Sequence, residues 1–429
     1  MTQPSDRPRL RRALSAIGGA GLILGAGAVA AQDTGRLLSF GTRFGLVADD
    51  NLALDPDSKG TTLEAVTGLD FELLYSTPLQ TFALSGDVGL RALDNPEESN
   101  RDDFVATPTL RLAYERTVPD SRIGVTGFVR RSRVAFLDPL EGGLDDPLVL
   151  DDLDDRGERG TRLAFGLGTE LELRRRAPIG ITLSAGLDGQ RYSDTTDTST
   201  LTDETRVRAG VGLRFVLTPT RQATLGLDYS SFDDEGRDEG RRDTYALNAG
   251  ISQRLRTGAV GLDLGATSTE DGERYSIRIE RSLTLPLWSI AGELGATQSV
   301  DGDLFTTGAL SVTRDLPTGS LSADLRRSVQ SGSDDEERDI TAASLGYSHQ
   351  VNALTSANFD LSYIASDPTG DGAASESFGS VGVGLQRRLT EDWRLDMALR
   401  HRISDEGTED TATGNTISVN LRRGFEFRF

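Results

Sequence analysis

The chain contains no cysteine. Disulfides, thiol nucleophiles and thiolate metal sites are therefore excluded. It has only two histidines, His349 and His401, too few and too separate for a His-rich metal site. Lys59 is its single lysine. After residue 31 no apolar run is long enough for a membrane-spanning helix. Positive charge is also short: the formal net charge is −21 over 429 residues. Such a chain repels phosphate, so nucleic acid is not an expected partner. No Gly-rich phosphate loop stands between a strand and a helix, so no cofactor is expected.

What is present is alternation. In "TLGLDY" Leu225, Leu227 and Tyr229 fall on one side, and Thr224, Gly226 and Asp228 on the other. "WRLDMALR" separates Trp393, Leu395, Met397 and Leu399 from Arg394, Asp396, Ala398 and Arg400. Strict period two is the signal of a strand with one apolar face. About twenty such runs follow one another, from 36–48 and 60–75 to 392–404 and 413–429, within the known range of closed barrels. A mean hydropathy of −0.34 does not contradict this, because alternating strands average to polar while one face stays apolar.

The connections alternate too. One class is tight and rich in Pro or Gly: "STPLQ", "TVPDS", "RRAPIG", "RTGA", "LPTGS". The other is mostly longer and acidic: "DDNLALDPDSKG", "DNPEESNRDD", "DDEGRDEG", "SGSDDEER". Two loop classes imply different surroundings at the two ends of the strands. The expected fold is all-β: a transmembrane, antiparallel, up-and-down β-barrel of about 20 strands (18–22), with short periplasmic turns and acidic extracellular loops. A lipid core offers no partner for backbone groups, so the sheet must close. Arg131, Arg387 and Arg423 break the apolar face, but they lie near strand ends, where charge costs little.

Residues 1–31 are set apart from this pattern. A basic segment, "MTQPSDRPRLRR", precedes an apolar one, "ALSAIGGAGLILGAGAVA", and small residues end it. This predicts a secretory signal peptide over 1–31 and a single barrel domain over 32–429. The competing reading is a short membrane anchor. An exported chain without cysteine fits the envelope of a Gram-negative bacterium, in contact with outer-membrane lipid and lipopolysaccharide.

By parity, the face opposite the apolar one carries the charges expected to line a lumen. In the first half these include Arg43, Asp70, Asp87, Arg111, Glu170, Arg174, Arg208 and Arg214. In the second they include Asp228, Asp263, Arg278, Glu280, Asp324, Arg326, Asp360, Arg394 and Asp396. Twenty strands leave room for water. The expected function is a passive, water-filled, porin-like channel for ions and small hydrophilic solutes, with weak cation preference. An alternative is a structural or adhesive barrel with a closed lumen. The span from Gln32 to Arg36 is too short for a plug domain, which counts against active uptake. No catalysis is expected. His401 falls with the outward residues, and Ser404 nearby is a conceivable partner without a recognised signature around it. The acidic stretches 151–158 and 233–240 lack the order of an EF-hand, leaving only weak divalent binding open.

The chain ends on "NLRRGFEFRF". Arg422, Gly424, Phe427 and Phe429 are similar to the terminal β-signal of bacterial outer-membrane proteins. That resemblance implies a last strand read by the barrel-assembly machinery. "FGTRFGLVADDNLAL" at 40–54 resembles the opening strand of the beta-barrel porin 2 family. Those are envelope barrels associated with exopolysaccharide export, so the resemblance implies a second alternative, an exopolysaccharide export conduit. The resemblance places Asp49, Asp50 and Asn51 where the first strand meets its outer loop. A polar strand-to-loop turn explains the same three residues, since Asp and Asn are favoured there.

Overall fold

Alternating sequences form strands because successive side chains leave a pleated ribbon on opposite faces. The computed structural model describes residues 35–58, 60–94, 96, 105–134, 160–195, 201–235, 241–270, 272–331, 337–369, 375–405, 407 and 411–428. The expected signal peptide over 1–31, the long loop 138–159 with its acidic stretch 151–158, and the terminal Phe429 lie outside the described residues.

Twenty strands follow in order. The first ten are β1 Arg36–Asp49, β2 Thr62–Ser76, β3 Gln80–Asp94, β4 Val105–Val118, β5 Ser121–Arg133, β6 Thr161–Leu173, β7 Ile179–Ser193, β8 Glu204–Thr218, β9 Arg221–Asp234 and β10 Arg241–Leu255. The rest are β11 Gly258–Ser268, β12 Glu273–Leu285, β13 Trp288–Gln298, β14 Leu304–Leu316, β15 Gly319–Ser331, β16 Glu337–Asn352, β17 Thr355–Pro368, β18 Glu376–Arg388, β19 Trp393–Asp405 and β20 Ala412–Arg428. Each pairs antiparallel with its successor, as β1 with β2 and β19 with β20. β20 then pairs with β1, from Leu37↔Arg428 to Asp49↔Thr416. The sheet closes on itself and has no edge, so its backbone groups are satisfied without water.

Both termini of the barrel lie at the end with the short turns. Those turns are held by their own backbone and hydroxyls. Thr77 N donates to Gln80 O at 2.8 Å, and the Thr77 hydroxyl accepts from Gln80 N at 3.1 Å. In "RTGA" Gly258 has φ +123°, and a Cβ there would stand 2.0 Å from the Ser282 carbonyl oxygen. Only glycine fits that turn.

The outer face is apolar and exposed. Leu227 is 55 %, Ile279 58 % and Leu294 67 % exposed, each in mid-strand. Arginines at the turn-side rim of this face rest on aromatic rings. Arg314 lies 4.6 Å over Trp288, Arg36 5.3 Å over Tyr75, and Arg423 4.7 Å over Phe425 and 5.5 Å over Trp393. Aromatic residues prefer the membrane interface, and arginine there keeps its charge wet. Phe427 meets Phe40 edge-on at 6.3 Å across the closing seam. Phe425 and Phe427 thus belong to the outer face, while Arg422 and Gly424 take the inner one.

Candidate functional site: the lumen and its loop-end mouth

The register fixes the inner face strand by strand. Arg43 stands between Gly68 and Arg422, and Asp70 beside Asp87. Arg111 stands beside Ser85, Asp263 beside Arg278, and Glu280 beside Glu293. Asp324 faces Ser344, Arg326 faces Ala342, and Asp360 faces Gly382. Several of these charges are paired. Arg122 Nη1 reaches Glu170 at 3.3 Å and Glu172 at 3.0 Å, and its Nη2 reaches Glu115 at 2.9 Å. Arg208 bridges Asp188, Arg278 reaches Glu293 at 3.6 Å, and Arg422 reaches Asp396 at 3.3 Å. Arg214 donates to the Arg175 carbonyl at 2.8 Å, and Asp228 accepts from Asn248 at 3.3 Å. Arg174 is different. It follows the last residue of β6, in the turn, with φ +55°. It is a turn residue, not part of the wall, because "RRAPIG" leaves the strand one residue earlier than parity suggests.

Two connected lobes of empty space lie against this face, of about 1250 and 1360 Å³. They share Thr109, Arg111 and Arg130. Phe128 also enters the lumen, beside Gly166, where a Cβ would meet its ring at 2.4 Å.

The loop end is built differently. The first loop folds into the mouth instead of standing away from it. Arg402 Nη2 bridges Asp49 Oδ2 at 2.6 Å and donates to the Asn51 carbonyl at 3.2 Å. The Thr416 hydroxyl donates to the same Asp49 oxygen. Asn51 Nδ2 donates to the carbonyls of Asp55 at 2.8 Å and Thr413 at 2.9 Å, and its Oδ1 accepts from Asp55 N at 3.1 Å. Asp49, Asn51 and Arg402 are all buried. Leu54 then inserts among Ile340, Ala342, Ile364, Phe378 and Ala412, all buried. Its φ of 52° is left-handed, a conformation that costs a side-chain-bearing residue about 1–2 kcal/mol and is held here by packing. Asp50 turns to the outer side. Its carboxylate accepts from Asn415 N at 2.6 Å and Asn415 Nδ2 at 2.8 Å. Partial burial pushes the Asp50 carboxyl up, but the Asn415 hydrogen bonds and the nearby Arg402 charge outweigh it and hold the carboxyl below its ordinary range.

So Asp49, Asp50 and Asn51 do more than turn the chain: they seat the loop. Sequence reasoning did not find Arg402 or Leu54. Arg402 is 353 residues from Asp49, and no local pattern joins them. His401 and Ser404 part company. His401 Nδ1 meets Asn415 Oδ1 at 2.9 Å on the outer side, whereas Ser404 is buried on the inner one. They form no catalytic pair. Among the described residues no group of three or more His, Asp or Glu is placed to hold a metal ion. Of the acidic stretch 233–240, only 233–235 are described.

A closed antiparallel barrel of 20 strands with an apolar outer band, aromatic rims and a charged interior has one physical setting. The chain is an outer-membrane β-barrel. Solved structures agree on the fold. The siderophore receptor PirA of Acinetobacter baumannii aligns over 92 % of this chain and 81 % of its own, with 8 % identity and a TM-score of 0.52. The ferric-catecholate import receptor Fiu of E. coli K12 aligns over 92 % and 82 %, with 11 % identity and a TM-score of 0.51. OpdO of Pseudomonas aeruginosa aligns over 92 % and 98 %, with 15 % identity and a TM-score of 0.41. At these identities the likeness is one of fold alone. No family model and no curated protein matches the chain. The resemblance of residues 40–54 to the beta-barrel porin 2 family therefore gains no support from that side.

Proposed function

We propose that this outer-membrane barrel is a passive, water-filled channel for ions and small hydrophilic solutes. The observation that carries the reading is the wide, charged interior: two joined lobes of about 1250 and 1360 Å³ lined by residues of both signs. Facing charges in a narrow wet path set the field that a passing solute meets. No chemical step is involved. The mature protein begins after a signal peptide over 1–31, and its last strand, with Arg422, Gly424, Phe427 and Phe429, is handed to the barrel-assembly machinery. Its acidic loops meet lipopolysaccharide and its divalent cations.

A second reading rests on the seated first loop. Leu54 and the Arg402–Asp49 pair make part of the mouth dry, which favours a barrel shut at its loop end. Conductance of the refolded mature chain in a planar bilayer separates the two. Discrete, steady openings under a salt gradient are expected, with the reversal potential giving ion preference. A folded barrel that never opens replaces the channel by a closed or gated barrel, among which an exopolysaccharide conduit is included.

A further inference from the structure

One transverse row of the inner wall is made of arginine. The register sets Arg388 beside Arg394, Arg394 beside Arg422, and Arg422 beside Arg43. All four line the lobe of about 1360 Å³. Neighbouring strands lie about 4.8 Å apart, so the four Cα atoms span roughly 15 Å. The row is not level. Arg388 ends β18 and Arg394 is second in β19, both at the turn-side rim, whereas Arg43 lies midway along β1. It climbs from the turn-side opening to the middle of the lumen. There Arg43 rests on bare backbone: its Nε and Nη2 lie 3.6 Å from where a Cβ of Gly68 would stand.

Like charges side by side on a sheet repel. The fold gives this row partial relief: Glu391, Asp392 and Glu426 line the same lobe near its turn-side rim. Arg422 has Asp396 at 3.3 Å, but among the described residues Arg43, Arg388 and Arg394 form no salt bridge. Asp70 and Asp87 stand beside each other on the next rung, and Asp87 and Glu64 feel the Arg43 charge without closing a salt bridge to it. The contrast is with Arg122, which three carboxylates hold, and with Arg402, which Asp49 holds. A guanidinium fork suits carboxylate and phosphate oxygens, which it can bind through two parallel hydrogen bonds. Four forks in a line, spaced by one strand each, suit a ligand whose anionic groups repeat.

We propose that the row Arg388–Arg394–Arg422–Arg43 is a docking track for a linear polyanion, a chain of repeated carboxylate or phosphate groups entering from the turn side. Transport along the track rests on the channel reading; binding to it does not.

Isothermal titration of the refolded, detergent-solubilised barrel at low salt tests binding without requiring conduction. The probes are oligogalacturonate, linear polyphosphate and the neutral maltohexaose. One or both polyanions bind and maltohexaose does not. Which polyanion binds tells carboxylate from phosphate. Each of Arg43→Gln, Arg394→Gln and Arg422→Gln weakens binding by about tenfold, the scale of one lost charge-assisted hydrogen bond. Arg254→Gln, on the far wall, leaves it unchanged and controls for loss of net charge. Single variants are used so that each is checked for folding by circular dichroism. Polyanions that bind no better than maltohexaose overturn the track, as does binding that the row variants keep or that Arg254→Gln loses equally. Planar-bilayer recordings on the same preparation separate the two claims. A barrel that conducts but binds no polyanion overturns the track alone, and one that binds but never conducts overturns the channel alone.

Discussion

At the loop end, Asp49, Asn51, Arg402 and Ser404 are buried; at the turn end, Arg388, Arg394, Glu426 and Arg428 stand exposed. Asp49, Arg402 and Ser404 sit on the same inner face of neighbouring strands β18–β20 and β1 as the exposed four and obey the same alternation. What differs is the cover. Turns of two to five residues, such as 219–220 and 174–178, cannot reach across a lumen. The twelve-residue connection 50–61 can, and its polar residues satisfy groups that would otherwise be buried alone. Parity therefore sets the side, while loop length sets the depth of burial.

The largest test of this contrast is Arg402→Ala. It leaves the Asp49 carboxylate buried without its cation, which costs about 3–5 kcal/mol. Hydrogen exchange is expected to speed up over 50–58 and 412–416 and to stay constant at the turns around Gly258. Uniform acceleration of the whole barrel would erase the distinction between the ends. Next is depth along the outer face. Leu227→Arg in mid-strand is expected to cost about 2–4 kcal/mol on folding into vesicles, whereas Leu255→Arg at the turn rim costs about 0–1 kcal/mol. Equal costs would mean that the apolar band does not lie where the rims place it. Leu54→Ala removes the loop's apolar anchor and is expected to cost about 2–3 kcal/mol. Limited proteolysis within 50–58 reads the result directly, and unchanged cleavage would show that Leu54 does not hold the loop. The smallest effect is one of pH. Because folding lowers the Asp50 carboxyl below its ordinary 3.8, its contribution is present above that value and fades as pH falls through the lowered one. Wild type should loosen its first loop in that acid window more than Asp50→Asn does.

Much of the barrel was legible in the sequence. "TLGLDY" and "WRLDMALR" name both faces of β9 and β19, and the five tight connections quoted above fall between successive strands. Period two is a local property, so residues a few positions apart suffice to reveal it. Lateral neighbours are not local. Arg394 and Arg422 are adjacent only once β19 and β20 are in register, and a shift of one residue would turn them to opposite sides. The inward apolar residues were missed for a related reason. Ile340, Ile364 and Phe378 break the polar rule of the inner face, and only the arrival of Leu54 explains them. Arg174 was misplaced because a strand end is set by turn geometry, which alternation does not encode.

The seated loop also carries information about time. Its bonds join Asn51 to Thr413, Asp50 to Asn415 and Asp49 to Arg402, partners drawn from opposite ends of the chain. None can form while β1 and β20 are apart. The loop therefore cannot seat before the seam closes, and its seating marks a closed cylinder. A protease that cuts within 50–58 during assembly, but not afterwards, would act as a clock for closure.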